Sequence, residues 1–264
     1  MALTTGWEPD TPVEDTLLRR FVFAQAAAFE PVVAAMGGAA WRTDAYAVAD
    51  LGRPAGLGNA VTLLRPLPPD PEDVLDGIEA AVGSGTGAVY LLSAWPTPDL
   101  HPRGWQLAGH PPMHLRPAAP LPDALPVPGL RIERVRAAAA LRDAERVIVD
   151  GYPFADLQPY RTGALFDERV LGAGMHLEVG YLDGEAVTVG SRTEANGLVL
   201  LTLGTTVRHA RHRGCWAAMV RSRLAPLTDR LAVALFSDDS RPGAERLFGF
   251  LPITRFTLWF RARG

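Results

Sequence analysis

The chain has 264 residues, enough for one large domain or two small ones, and its 48% apolar fraction can fill a packed core. A net charge of −3 gives the whole molecule no pull toward nucleic acid, and because all 26 basic residues are arginine, lysine-based Schiff-base or acylation chemistry is excluded. The single cysteine excludes an intramolecular disulfide framework, no run of 18 apolar residues exists, and the start MALTTGWEPD lacks a basic region before an apolar run, so a cytoplasmic chain with no membrane partner is expected.

In chain order, residues 13–37 read as a helix. AYAVADL (45–51) and NAVTLLRPL (59–67) read as strands. Residues 71–82 read as a helix capped by Asp70 or Asp73, and GAVYLLSAW (87–95) and PPMHLRP (111–117) as further strands. The stretch LRPAAPLPDALPVPGL (115–130) has five prolines, which deny both helix and central strand, so it reads as a linker or extended crossover.

The pattern sharpens after the linker. LRIERVR alternates like a strand, 138–152 is helical, and 154–170 is a broken helical region. Three strands follow: MHLEVGYL, EAVTVGSRTE and LVLLTLGTTV, with Asp183-Gly184 and Asn196-Gly197 as hairpin turns. Residues 213–227 read as a helix, LAVALFS as a strand, 241–248 as a helix and ITRFTLWFRA (253–262) as one final strand. The two halves end alike, RGWQLAGHPPMHLR beside LFGFLPITRFTLWFR.

The most informative stretch is TTVRHARHRGCWAAMV (205–220). Three arginines and two histidines fill Arg208–Arg213 ahead of a glycine, the only cysteine and an apolar helical run. Four readings compete. A nucleic-acid patch needs a wider basic surface with stacking aromatics. A metal site on His209, His212 and Cys215 lacks further ligands and faces three repelling arginines, so no metal is expected. A solvated loop before an amphipathic helix is the plain alternative. The fourth is an anion site: a helix start offers unpaired N–H groups and a positive dipole end, and a glycine lets a phosphate approach the backbone.

This segment resembles the acyl-CoA pyrophosphate loop of GNAT-type N-acetyltransferases, Arg/Gln-x-x-Gly-x-Gly/Ala, with Arg211, His212, Arg213, Gly214, Cys215 and Trp216 on the pattern, Ala217 completing the cofactor-binding loop and Ala218-Met219 matching the helix that follows. Downstream, ALFSDDSRPGAERLFGF resembles the family's fifth strand, fourth helix and Gly-Phe, here Gly249-Phe250. The resemblance covers about residues 130–264, and the N-terminal half is similar to a second, eroded copy. It implies an α+β fold of tandem GNAT-like domains, each a mixed, mostly antiparallel sheet flanked by helices. The expected division is 1–117 for the degenerate domain, 118–129 for the linker and 130–264 for the domain with the acyl-CoA cleft.

The resemblance also implies acetyl transfer from acetyl-CoA to an amine of a small molecule or peptide, by a monomer or homodimer. Backbone groups of Gly204, Thr205 and Thr206 would hold pantetheine and the loop the pyrophosphate, with Tyr152, Phe154 and Tyr160 lining the acceptor pocket. Two positions depart from the pattern. Trp216 stands where the family has Gly or Ala. Glu245 stands where it often has a tyrosine that protonates the leaving thiolate, and is either that acid or an exposed helix residue. These departures support the rival reading, an inactive acyl-CoA sensor or scaffold. Cys215 reads as a buried thiol rather than a nucleophile; His101, His110 and His114 read as loop histidines; Glu178 and Glu194 are weak general-base candidates.

Overall fold

The structure, a computed structural model, describes residues 7–8, 10–123, 125–152 and 154–264. Most of the N-terminal stretch read for a leader, residues 1–6 and 9, lies outside the described residues. Among the described residues no helix is long and apolar enough to cross a membrane.

The chain divides into two compact units, Met1–Pro111 with Thr254–Gly264, and Pro112–Ile253. The first holds helix α1 (Leu17–Ala35), strands β1 (Ala39–Arg42), β2 (Tyr46–Asp50) and β3 (Ala60–Leu63), helix α2 (Glu72–Val82), and strands β4 (Val89–Ser93) and β5 (Gln106–Gly109). The second begins with β6 (Pro112–Arg116) and β7 (Leu130–Arg134), then α3 (Ala138–Gly151), β8 (His176–Leu182), β9 (Glu185–Ala195) and β10 (Leu198–Thr206). Helix α4 (Cys215–Leu224), β11 (Leu231–Leu235), α5 (Arg241–Phe248) and β12 (Leu251–Arg255) follow, and β13 (Thr257–Arg261) is the last strand.

Each half gives its last strand away. The first sheet runs β1-β2-β3-β4-β13-β5, and the second β12-β6-β11-β10-β9-β8-β7. Strand β6, from the N-terminal half, pairs antiparallel with β11; β13, from the C-terminal end, pairs with β4 and β5. This exchange gives the similar endings of the two halves a physical meaning. It also moves the division expected from sequence, because 112–117 belongs with the second unit and 254–264 with the first. The stretch 253–262, expected as one strand, is two strands broken at Phe256, which is fully buried and meets Phe21 edge-on at 5.2 Å.

Both sheets are mixed and mostly antiparallel. The parallel steps β3–β4 and β10–β11 each span a helix, as parallel neighbours require. Strands β1 and β5 were not expected; both are short sheet edges with largely exposed residues, so they carry no alternation to detect. Neither Asp70 nor Asp73 caps α2: its N-cap is Pro71, with no side-chain bond. The Pro-rich segment is strapped to the second unit. The Arg116 guanidinium donates to the carbonyls of Pro117, Ala119 and Pro120, Arg221 to that of Pro122, and the Ala119 N–H to Thr228 O.

The core of the second unit that bears on function joins Val199 and Leu201 of β10, Ala232 and Ala234 of β11, Val220 and Leu224 of α4, and Ala244 and Phe248 of α5. Helices α4 and α5 therefore lie side by side on one face of this sheet.

Candidate functional site

The site is built from the end of β10. Residues Leu198–Leu201 pair in parallel with β11, the last pair being Leu201 with Ala234. Strand β10 then continues to Thr206, while β11 ends at Leu235. The two strands part there, leaving the β11 edge of residues 202–206 outside that pairing. On its other edge β10 meets β9 through Thr202 with Ser191 and resumes at Thr205 with Val189. Two residues, Leu203 and Gly204, thus oppose the single Gly190, and Leu203 takes a left-handed φ of 50°. This is a β-bulge, which breaks the ladder and re-aims the backbone.

Three carbonyls of the bulge, those of Thr202, Gly204 and Thr205, accept from side chains. Arg223 Nη1 donates to Thr202 O at 3.2 Å and to Ser191 O at 3.0 Å. The Tyr152 hydroxyl donates to Gly204 O at 3.1 Å, and the Thr188 hydroxyl to Thr205 O at 3.0 Å. Glycines make the room. A Cβ on Gly190 would lie 2.7 Å from Arg223 Cζ, one on Gly204 3.2 Å from Arg223 Nη2, and one on Gly151 would collide with Thr205. Arg223 is 1% exposed, and burial pulls its guanidinium below the ordinary value. Burial pushes the Tyr152 phenol up to about 12, tempered by the Arg223 charge, so the phenol stays neutral and a donor.

After β10 the chain makes a short turn, with His212 at φ 61° and Gly214 at φ 82°, and α4 begins. No side chain caps the first turn of α4. Its leading N–H groups therefore point out of the helix start, the arrangement that favours an anion. Three of the five basic residues of the loop lie against other groups. Arg211 folds back to Thr206 O and Gly151 O, Arg213 lies 3.9 Å from Asp183, and His209 3.2 Å from Glu185. Cys215 is buried and burial raises its thiol above the ordinary value, which makes it inert.

Trp216 turns sideways from the helix start onto α5. Its ring lies 6.2 Å from both Phe236 and Phe248, edge-on, and a Cβ on Gly243 would be 2.9 Å from it. Trp216 and Ala217 both pack on the core between α4 and α5. The indole thus bridges the two helices above the end of β11.

The acceptor-pocket candidates separate. Tyr152 and Phe154 stack at 5.3 Å, and Tyr152 reaches the bulge. Tyr160 is elsewhere: its hydroxyl donates to Glu145 at 3.0 Å and lies 3.3 Å from Arg142 O, helping to fold the 158–166 loop. Glu245 bonds across to His114 Nε2 at 3.2 Å. Gly243 faces α4 through Trp216, and residues two apart on a helix are 200° apart, so Glu245 leaves the opposite flank of α5. His114, expected in a loop, is fully buried on β6 against Phe236. Glu178, in register with Gly190, is buried with its Oε1 against Arg192 and its Oε2 without a hydrogen-bond partner, whereas Glu194 pairs with Arg230 at 2.6 Å away from the bulge. Among the described residues no cluster of three or more His, Cys, Asp or Glu could hold a metal. Sequence reasoning missed Arg223, which reads as an ordinary helix arginine, and the bulge, whose one signal is Gly204 inside an apolar strand.

No protein-family model matches the chain, and no curated protein does. Solved structures do. A GCN5-related N-acetyltransferase from Kribbella flavida superposes with a TM-score of 0.61 at 18% identity, covering 91% of this chain and 95% of its own. A GCN5-related N-acetyltransferase-like protein from Streptococcus suis 89/1591 gives 0.53 at 12%, covering 92% and 98%. A tandem GNAT protein from the clavulanic acid biosynthesis pathway gives 0.51 at 15%, covering 83% and 78%. The chain has the GNAT fold, in tandem.

Proposed function

We propose that the second unit is an acyl-CoA-dependent N-acyltransferase that passes an acetyl group from acetyl-CoA to an amine. One observation carries the reading: β10 bulges at Leu203-Gly204 where β11 leaves it, and after the end of β10 and a short basic loop a helix starts uncapped on Gly214. Pantetheine would lie along the free edge of β10, as a peptide extends a sheet, with the pyrophosphate at the start of α4. The acceptor amine attacks the thioester carbon, a bulge N–H stabilises the oxyanion, and CoA leaves as the thiolate, taking up a proton. The likeness to acetyltransferases supports the fold; the chemistry rests on this geometry.

The first unit lacks such a start. The segment between β3 and α2 contains Pro66, Pro68, Pro69 and Pro71, which have no N–H to offer, and the first turn of α2 carries Glu72 and Asp73, which repel an anion. We therefore assign the cofactor to the second unit alone.

Trp216 favours a second reading, a protein whose cleft has closed and which binds no acyl-CoA. Its indole spans α4 and α5 beside the place assigned to pantetheine. Calorimetric titration of acetyl-CoA into the full chain tests the proposal. Micromolar, one-to-one binding supports it, and no heat at millimolar ligand would sink it.

A further inference from the structure

We propose that Arg223 is a positioning residue for acyl transfer: it fixes the β10 bulge and turns the Leu203 N–H into the donor that meets the thioester oxygen. The inference rests on the acyltransferase reading of this same site.

The argument begins with cost. A guanidinium that is 1% exposed has given up its hydration; its hydrogen bonds among the described residues go to three backbone carbonyls, Met219, Ser191 and Thr202, and the Glu178 carboxylate supports its charge from a distance without bonding to it. An alkyl side chain would fill the space at far lower cost. Two glycines, Gly190 and Gly204, are also given over to it. Such an expensive arrangement makes sense if the charge acts on what it touches.

What it touches is the peptide between Thr202 and Leu203. Nη1 holds both Ser191 O and Thr202 O, so it lies at the edge of β10 that faces β9. In a trans peptide the N–H points opposite to the C=O. Fixing Thr202 O toward β9 therefore aims the Leu203 N–H at the other edge, past the last β11 pair at Ala234. A hydrogen bond from a cation also draws electron density from the peptide and strengthens its N–H as a donor. Tyr152 adds a neutral hydrogen bond two peptides on, through Gly204 O. Without Arg223, Thr202 O and Ser191 O would lose their charged donor, and the Leu203 N–H its fixed aim.

The test compares acetyl-CoA with S-ethyl-CoA, a thioether of similar shape with no carbonyl, by calorimetry on the full chain. Wild type is expected to prefer acetyl-CoA by about tenfold, the worth of one good hydrogen bond. The infrared carbonyl stretch of bound [1-13C]acetyl-CoA should also move to lower frequency. Arg223→Met should lose the preference and the shift while holding S-ethyl-CoA within about threefold of wild type. Arg223→Lys, which keeps the charge and guards against a misfolded Met variant, should recover part of both. A folded Met or Lys variant with wild-type preference and stretch overturns the role of Arg223 alone. Failure of wild type to bind either ligand overturns the acyltransferase reading and this inference with it.

Discussion

The Arg223 guanidinium lies where a side chain on Gly190 would have to be: a Cβ there would sit 2.7 Å from both Cζ and Nε. Gly190 is thus glycine for want of room, at a position inside β9 where a residue with β propensity would otherwise be favoured. Gly190→Ala is expected to cost about 1–3 kcal/mol through overpacking. In an Arg223→Met background the flexible thioether gives way, and the same change should cost under about 1 kcal/mol. Urea unfolding of the four members of this cycle checks it; equal costs in both backgrounds would show that the two residues do not compete for space.

Glu145 organises the loop beneath α3. It is fully buried and accepts from the N–H groups of Leu165 at 2.6 Å, Phe166 at 2.9 Å and Gly163 at 2.8 Å, from the Tyr160 hydroxyl and from Arg142. Glu145→Ala orphans these donors together and should cost about 3–5 kcal/mol. Tyr160→Phe removes one bond of the set and should cost about 1 kcal/mol. Hydrogen exchange should show Gly163, Leu165 and Phe166 losing protection in the alanine variant. Protection unchanged there would remove Glu145 from this role.

The elements after residue 130 were legible because their signals are local. Asp183-Gly184 and Asn196-Gly197 announce hairpins, and all four residues adopt the positive φ such turns need. Residues 198–207 and 213–227 read as strand and helix from their apolar patterns alone. The exchange of β6 and β13 was not legible, because a strand's pattern records which face is buried and says nothing about which sheet it joins. Arg223 was hidden for a similar reason. An arginine in an amphipathic helix reads as solvated, and only the two strand glycines beneath it give the burial away. Tyr152 and Tyr160 looked equivalent; the fold sends one to the bulge and the other to Glu145.

His176 gives the second unit a dependence on acidity. Burial lowers its pKa below the ordinary 6.5, and the neighbouring Arg192 and Arg134 charges lower it further. Nδ1 faces Arg192 Nη2 at 3.2 Å, so it accepts and the ring is neutral. Between the ordinary value and the lower folded one, the unfolded chain binds a proton that the folded chain does not. The stabilisation is therefore complete above about pH 6.5 and drains away as pH falls below it. Wild type should lose more urea resistance from pH 7.5 to 5.5 than His176→Asn. Matching losses in the two proteins would assign the acid sensitivity to other groups.

Trp216 decides between the two functional readings. Its indole belongs to the core shared by α4 and α5 and packs on Phe236 and Phe248, while the first turn of α4 has no capping side chain. On the acyltransferase reading the indole is a structural wedge that leaves the N–H groups of the helix start accessible. Trp216→Ala should then lower stability by about 3 kcal/mol, the low end for truncating a large aromatic, because the ring is only partly buried. Acetyl-CoA affinity should change by less than about threefold, a shift under 1 kcal/mol. On the closed-cleft reading the indole stands in the path of pantetheine, and removing it should tighten binding by at least about tenfold, more than 1.4 kcal/mol. The loss of core packing cannot mimic that result, since a loosened scaffold binds more weakly. Calorimetry on wild type and Trp216→Ala, with unfolding curves recorded beside it, separates the outcomes. A tenfold gain would establish Trp216 as the plug, whereas unchanged micromolar binding would leave it as a wedge between two helices.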